Sequence, residues 1–189
     1  MPAFYVDFAS PECYLACERI LSLMPVPVEW IPVQLSPEPL PDAERTRLAD
    51  LADARHIQPI RWPPPFDADF VTLTATYAKS IGRAVAFVQA ALRQAYAGGR
   101  DLSVQDHVLI AASACEMHPT AILKTVQTRG PRRTLDRAIA TAAERGVQRT
   151  PAIWVPPPAG SPAAAAGRVL HGDAALEDAA ALLAEHATD

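Results

Sequence analysis

Phe4-Tyr5-Val6-Asp7-Phe8-Ala9-Ser10-Pro11-Glu12-Cys13-Tyr14-Leu15-Ala16 is the stretch that decides how the chain folds. Phe4 to Phe8 is rich in aromatic residues and alternates modestly, as a buried strand does. Ser10 is a good helix N-cap, and Pro11 falls at the first helical position, where a missing N–H is no loss. A helix is expected from Pro11 to about Met24, with Cys13, Leu15, Ala16, Ile20 and Leu23 on its apolar face. The strand–helix junction therefore carries a hydroxyl, Ser10, and a thiol, Cys13. Helix N-termini gather unpaired N–H groups and a partial positive charge, which stabilise a thiolate or a bound anion.

Outward from this junction, Pro25 and Pro27 end the helix, and Val28 to Leu35 reads as a second strand. Pro32 within it points to a bulge or an edge position. Parallel pairing of the two strands would make a right-handed β-α-β unit. A Pro-rich loop from Ser36 to Asp42 and a polar helix over Ala43 to Ala54 follow. From about Phe70 to Gly146 the patterns are all helical, near 71–80, 83–97, 104–116, 119–128 and 131–145, with Gly98-Gly99, Gly130 and Gly146 at helix ends. Ala152 to Val155 and Arg168 to Leu170 are β-like, joined by a Pro- and Ala-rich connection that is expected to be flexible. Asp173 starts a last amphipathic helix to about His186. The order is βαβ, a helical block, then ββα, which implies an α/β fold with one sheet interrupted by an insertion.

The composition narrows the function classes. A chain of 189 residues, half of them apolar, can bury a sizeable core in one domain. A net charge of −4 leaves no basic footprint, so nucleic acid is not an expected partner. No apolar run is long enough to span a membrane, and no secretory leader is recognisable at the first residues. Three cysteines, Cys13, Cys17 and Cys115, argue against a disulfide framework and for a reducing cytoplasm. The five histidines show no metal-ligand spacing.

Four segments resemble one enzyme family. Asp7-Phe8-Ala9-Ser10-Pro11-Glu12-Cys13-Tyr14-Leu15-Ala16 is similar to the opening of 2-hydroxychromene-2-carboxylate isomerases, DsbA-like proteins related to kappa-class glutathione transferases. Arg61-Trp62-Pro63, Gly99-Arg100-Asp101-Leu102-Ser103 and Arg145-Gly146-Val147-Gln148-Arg149-Thr150-Pro151 resemble later segments of the same family, in the same order. The resemblance implies a thioredoxin-like fold over 1–60 and 146–189, with a helical insertion over 61–145. It implies a glutathione-dependent isomerase, acting on a small-molecule intermediate of aromatic degradation in the cytoplasm as a homodimer. Ser10 would activate the glutathione thiol, and Thr150, before a cis Pro151, would contact the tripeptide backbone. Trp62 would wall the site, and Gly172 and Asp173 would hold the glutamyl end, although here the acidic residue stands one place early. Arg149 stands where the family often has glycine, and Phe66-Asp67-Ala68-Asp69 where it often has an asparagine-containing stretch.

Cys13 keeps a second chemistry open. It occupies the second cysteine position of a Cys-x-x-Cys motif whose first cysteine is replaced by Ser10, so it has no partner to resolve. A DsbA-like thiol–disulfide oxidoreductase or a glutathione transferase using Cys13 alone is one alternative. A binding protein that retains the fold without the chemistry is another.

Overall fold

The structure, a computed structural model, describes residues 1–35, 40–158, 160–162 and 166–188, with Ala187 and Thr188 described by backbone alone. β1 (Ala3–Val6), α1 (Pro11–Leu23) and β2 (Glu29–Pro32) form the expected parallel unit, with Phe4 opposite Trp30 and Val6 opposite Pro32. α2 (Asp42–Ala54), α3 (Asp69–Ser80), α4 (Ala84–Leu92), α5 (Gln105–Ser113), α6 (Pro119–Val126) and α7 (Arg129–Glu144) follow. β3 (Ala152–Val155) and β4 (Arg168–His171) return antiparallel, and α8 (Leu176–Thr188) closes the chain. The sheet order β2-β1-β3-β4 puts β1 inside and Pro32 on an edge strand, where a strand proline forfeits no ladder hydrogen bond. This is the thioredoxin-like α/β fold with a helical insertion.

Alternation along β1 builds two cores. Phe4 and Val6 face the larger one, among α1, α3, α4 and α8, and Phe4 meets Trp30 edge-on at 5.1 Å. Ala3 and Tyr5 face the other, against Ala142 of α7, Val147 and Trp154. Arg145 caps this second face, donating to the Tyr5 hydroxyl at 2.8 Å and lying 3.8 Å from the Trp154 ring centroid. With both faces covered, β1 is buried throughout.

The insertion grips α1 through α4. Gln89 donates to the Cys17 carbonyl at 2.8 Å, and Arg93 makes a forked pair with Glu18 at 2.6 and 2.7 Å. The sequence reads as one helix over 83–97, but α4 widens into a π-helical turn over Arg93–Ala97. Such single π turns occur within α-helices, frequently beside functional sites. Here the turn carries Tyr96, whose hydroxyl donates to the Phe8 carbonyl at 2.9 Å, while its own carbonyl accepts from Arg61 N–H at 2.7 Å.

Other boundaries shift for local reasons. α5 stops at Ser113 rather than near 116, because Glu116 adopts φ +60° and Met117 N–H returns to the Ala112 carbonyl. Gly130, expected at a helix end, lies inside the first turn of α7, because Pro131 is tolerated there and the helix starts at Arg129. β2 is shorter than 28–35, although Val33 N–H still bonds the Val6 carbonyl. The last helix opens with a 3₁₀ turn over Asp173–Ala175. The expected loop at 36–42 and the Ala-rich connection fall partly outside the described residues.

Candidate active site

Ser10 occupies the N-cap position of α1 with extended backbone angles, φ −97° and ψ 109°. Its hydroxyl does not cap the helix. It donates instead to the Thr150 carbonyl at 3.0 Å, across 140 residues of chain. The expectation of a side-chain cap is corrected here: a cap needs the hydroxyl oxygen to accept from a first-turn N–H, and the side chain is turned instead to the Thr150 carbonyl. The Thr150–Pro151 bond is cis. Pro151 in turn accepts from Gly172 N–H at 2.8 Å, which ties the β3 approach to the start of the last helix.

A cleft of about 540 Å³ opens above this junction, lined by Ser10, Glu12, Trp62, Phe66, Tyr96, Arg149 and Thr150 among others. That size suits a small organic ligand. Pro63, Pro64 and Pro65 line it as well, and Leu48 of α2 adds an apolar wall. Arg45 holds its guanidinium 5.1 Å from the centroid of the Trp62 ring, so one wall is both aromatic and cationic. Ser10, Trp62 and Thr150, which lie far apart in sequence, thus share one cleft. Among the described residues no group of side chains could hold a metal ion.

Cys13 lies below the cleft and has no exposed surface. The Asp7 N–H approaches its sulfur at 3.5 Å. Burial pushes the thiol up to about 12, against smaller opposing effects from that N–H and from the Thr150 and Ser10 hydroxyls. Cys17, one turn on, is equally buried and shifted the same way. A thiol held neutral and out of reach is not a nucleophile. Iodoacetamide at neutral pH should therefore leave Cys13 unmodified in the folded protein and alkylate it in urea, by mass spectrometry of the peptide. Rapid labelling of the native protein would show that this picture is wrong.

Asp7 is the buried acid beside the site, 1% exposed. Its carboxylate accepts from Ala9 N–H at 2.9 Å and from Leu35 N–H at 2.6 Å, pinning the loop that leads to Ser10 against the end of β2. Burial outweighs these two bonds and pushes its carboxyl from 3.8 up to about 6. The folded protein then holds this proton more tightly than the unfolded chain. The resulting stability is fully present below about pH 4 and is lost as pH rises through about 6. Relative to Asp7→Asn, the wild type should lose ~2 kcal/mol between pH 4 and 7 in urea titrations. A difference that does not vary with pH would refute the assignment.

Gly172 and Asp173 stand beside the cleft rather than in its lining. Asp173 is completely buried and pairs with Arg19 at 2.9 Å and with Arg55, so its carboxylate joins α1, α2 and the turn before α8. Its N–H donates to Glu12 Oε1 at 3.0 Å. Gly172 adopts φ +91°, and a Cβ there would come within 3.2 Å of the same Glu12 oxygen. The sequence reading missed Glu12, Arg19, Arg45, Arg55 and Tyr96. No local pattern marks them: packing brings Glu12, Arg45 and Tyr96 to the cleft, and Arg19 and Arg55 to Asp173 beside it.

The family described as DSBA-like thioredoxin domain matches residues 3–184. No curated protein sequence matches the chain. Among solved structures, a 2-hydroxychromene-2-carboxylate isomerase superposes with a TM-score of 0.82 at 17% identity, covering 100% of this chain and 98% of its own. A probable DsbA oxidoreductase from Streptomyces coelicolor gives 0.77 at 17% identity, with coverages of 100% and 90%. The cytosolic disulfide reductase DsbM from Pseudomonas aeruginosa, determined with glutathione, gives 0.70 at 14% identity, with coverages of 100% and 99%. At these identities the likeness is one of fold.

Proposed function

The chain belongs to the family of DsbA-like thioredoxin domains, and from that premise we propose that it is a glutathione-dependent isomerase of the 2-hydroxychromene-2-carboxylate type. One observation carries the reading. At the α1 junction Ser10 lines the cleft, while both thiols of the same helix are fully buried and take no part in its lining.

The residues present fit glutathione. The cleft is large enough, and the Ser10 hydroxyl and the Thr150 backbone meet at its floor. Glutathione, when bound, supplies a thiolate that can add to an unsaturated carbonyl compound and leave again. The hydroxyl of Ser10 can turn from the Thr150 carbonyl to donate to the sulfur, which favours the anionic form. The N-terminus of α1 adds its partial positive charge at the same point. Thr150, next to the cis bond, aligns the peptide. Trp62, Phe66 and Leu48 offer a flat apolar wall to an aromatic ring, and Arg45 and Arg149 offer cations to a carboxylate.

Purified protein mixed with 2-hydroxychromene-2-carboxylate should change its absorbance in the presence of glutathione and not without it. No turnover there, and none with a panel of other unsaturated carbonyl compounds, would defeat the proposal.

A further inference from the structure

Glu12 is the acidic side chain of the first turn of α1, and its surroundings are those of a ligand's carboxylate. Its Oε1 accepts from Asp173 N–H at 3.0 Å, at the turn that leads into α8. Arg47, already forked onto Glu44 at 2.8 and 2.5 Å, lies 3.7 Å from Oε1, and Arg149 lies 3.7 Å from Oε2. At that distance neither guanidinium makes a hydrogen bond to Glu12. Arg149 is 64% exposed and therefore keeps donors for another anion. Gly172 leaves the space that Glu12 occupies. In the same Asp173 whose N–H bonds Glu12, Oδ1 is the one buried side-chain oxygen without a hydrogen-bond partner among the described residues. A backbone donor, a nearby cation and an unused acceptor make a seat for a group carrying both carboxylate and ammonium. The protein's own Glu12 now takes the carboxylate place.

We propose that Glu12 is a specificity-determining residue of the cleft, an internal competitor that an anionic thiol peptide must displace before its own carboxylate can be seated. The inference rests on the glutathione reading of the site. Glu12 lines the same cleft as Ser10, so one extended ligand can reach both. A ligand whose seat is already taken binds with its intrinsic affinity multiplied by the fraction of molecules in which the seat is free. Thiols without a carboxylate at that end escape the competition. The residue thus sets which low-molecular-weight thiol the cleft accepts, and how tightly.

Titration calorimetry on the full-length protein tests this with glutathione and with cysteinylglycine, which keeps the thiol and lacks the glutamyl residue. Glu12→Ala should bind glutathione about tenfold more tightly than the wild type, a seat free in about one molecule in ten becoming free in all. Cysteinylglycine should change less than about twofold, since it never uses the seat. Glu12→Gln keeps an acceptor for Asp173 N–H without the charge and should gain about threefold. Melting curves of the variants without ligand verify that they fold. Equal glutathione affinity in wild type and Glu12→Ala overturns the inference and leaves the glutathione reading standing. An equal gain for both thiols also overturns it, because the effect would then be one of general charge. Glutathione bound by neither protein overturns the glutathione reading, and the inference with it.

Discussion

Ser10→Ala should lower kcat/KM for the glutathione-dependent reaction about a hundredfold, the usual loss when one donor to a reactive anion is removed. The fold should survive, because the bond lost is a single hydroxyl-to-carbonyl contact to Thr150, worth about 1 kcal/mol. The fall should appear mainly in kcat, with glutathione affinity changed little, because the hydroxyl acts on the sulfur and not on the peptide. The pH at which the bound thiol ionises should rise, and thiolate absorbance of the complex would follow it. An unchanged rate would remove Ser10 from the mechanism. An equal loss in binding alone would make it a positioning residue for Thr150.

Asp173→Ala should be the most destabilising change near the site. The carboxylate is fully buried and holds both Arg19 and Arg55, whose side chains are 16% and 21% exposed. Breaking such a pair from the carboxylate side strands two guanidiniums in a region where water reaches them poorly. The expected loss is about 3 kcal/mol, tempered by Glu177, which remains beside Arg19. For a chain of this size that lowers the melting temperature by about 6–12 °C. Asp173→Asn keeps the shape and an acceptor and should lose about half as much. A drop of less than ~1 kcal/mol in Asp173→Ala would mean that the arginines relax to solvent and that the carboxylate's chief task lies with a ligand.

These two residues differ in how far the sequence reveals them. Ser10-Pro11 announces a helix start, and the strand before it is plain from Phe4 to Phe8. Its hydroxyl could not be assigned from there, because the partner that claims it, Thr150, is 140 residues away. Asp173 reads as the opening of a last helix, and its charge looks available to a ligand. Its burial between α1 and α2 depends on where Arg19 and Arg55 arrive, and no local pattern specifies that. Cys13 is similar. Its place on an apolar helix face is visible from spacing, but the depth of its burial follows from the insertion closing over α1 through Gln89, Arg93 and Tyr96.

By itself the amino-acid sequence determined the element order, the α/β class, the interruption of one sheet by helices and the junction at which chemistry is possible. Hydrophobic period, proline position and capping residues are short-range signals, and they act on elements one at a time. Only the tertiary structure decided which groups converge on that junction. It turned the Ser10 hydroxyl to the Thr150 carbonyl, sealed Cys13, committed Asp173 to two arginines and set Glu12 on a backbone N–H beside the cleft. The physical reason is that burial and charge pairing depend on distances between elements, which the packing of both faces of one small sheet sets and which the spacing of residues along the chain does not.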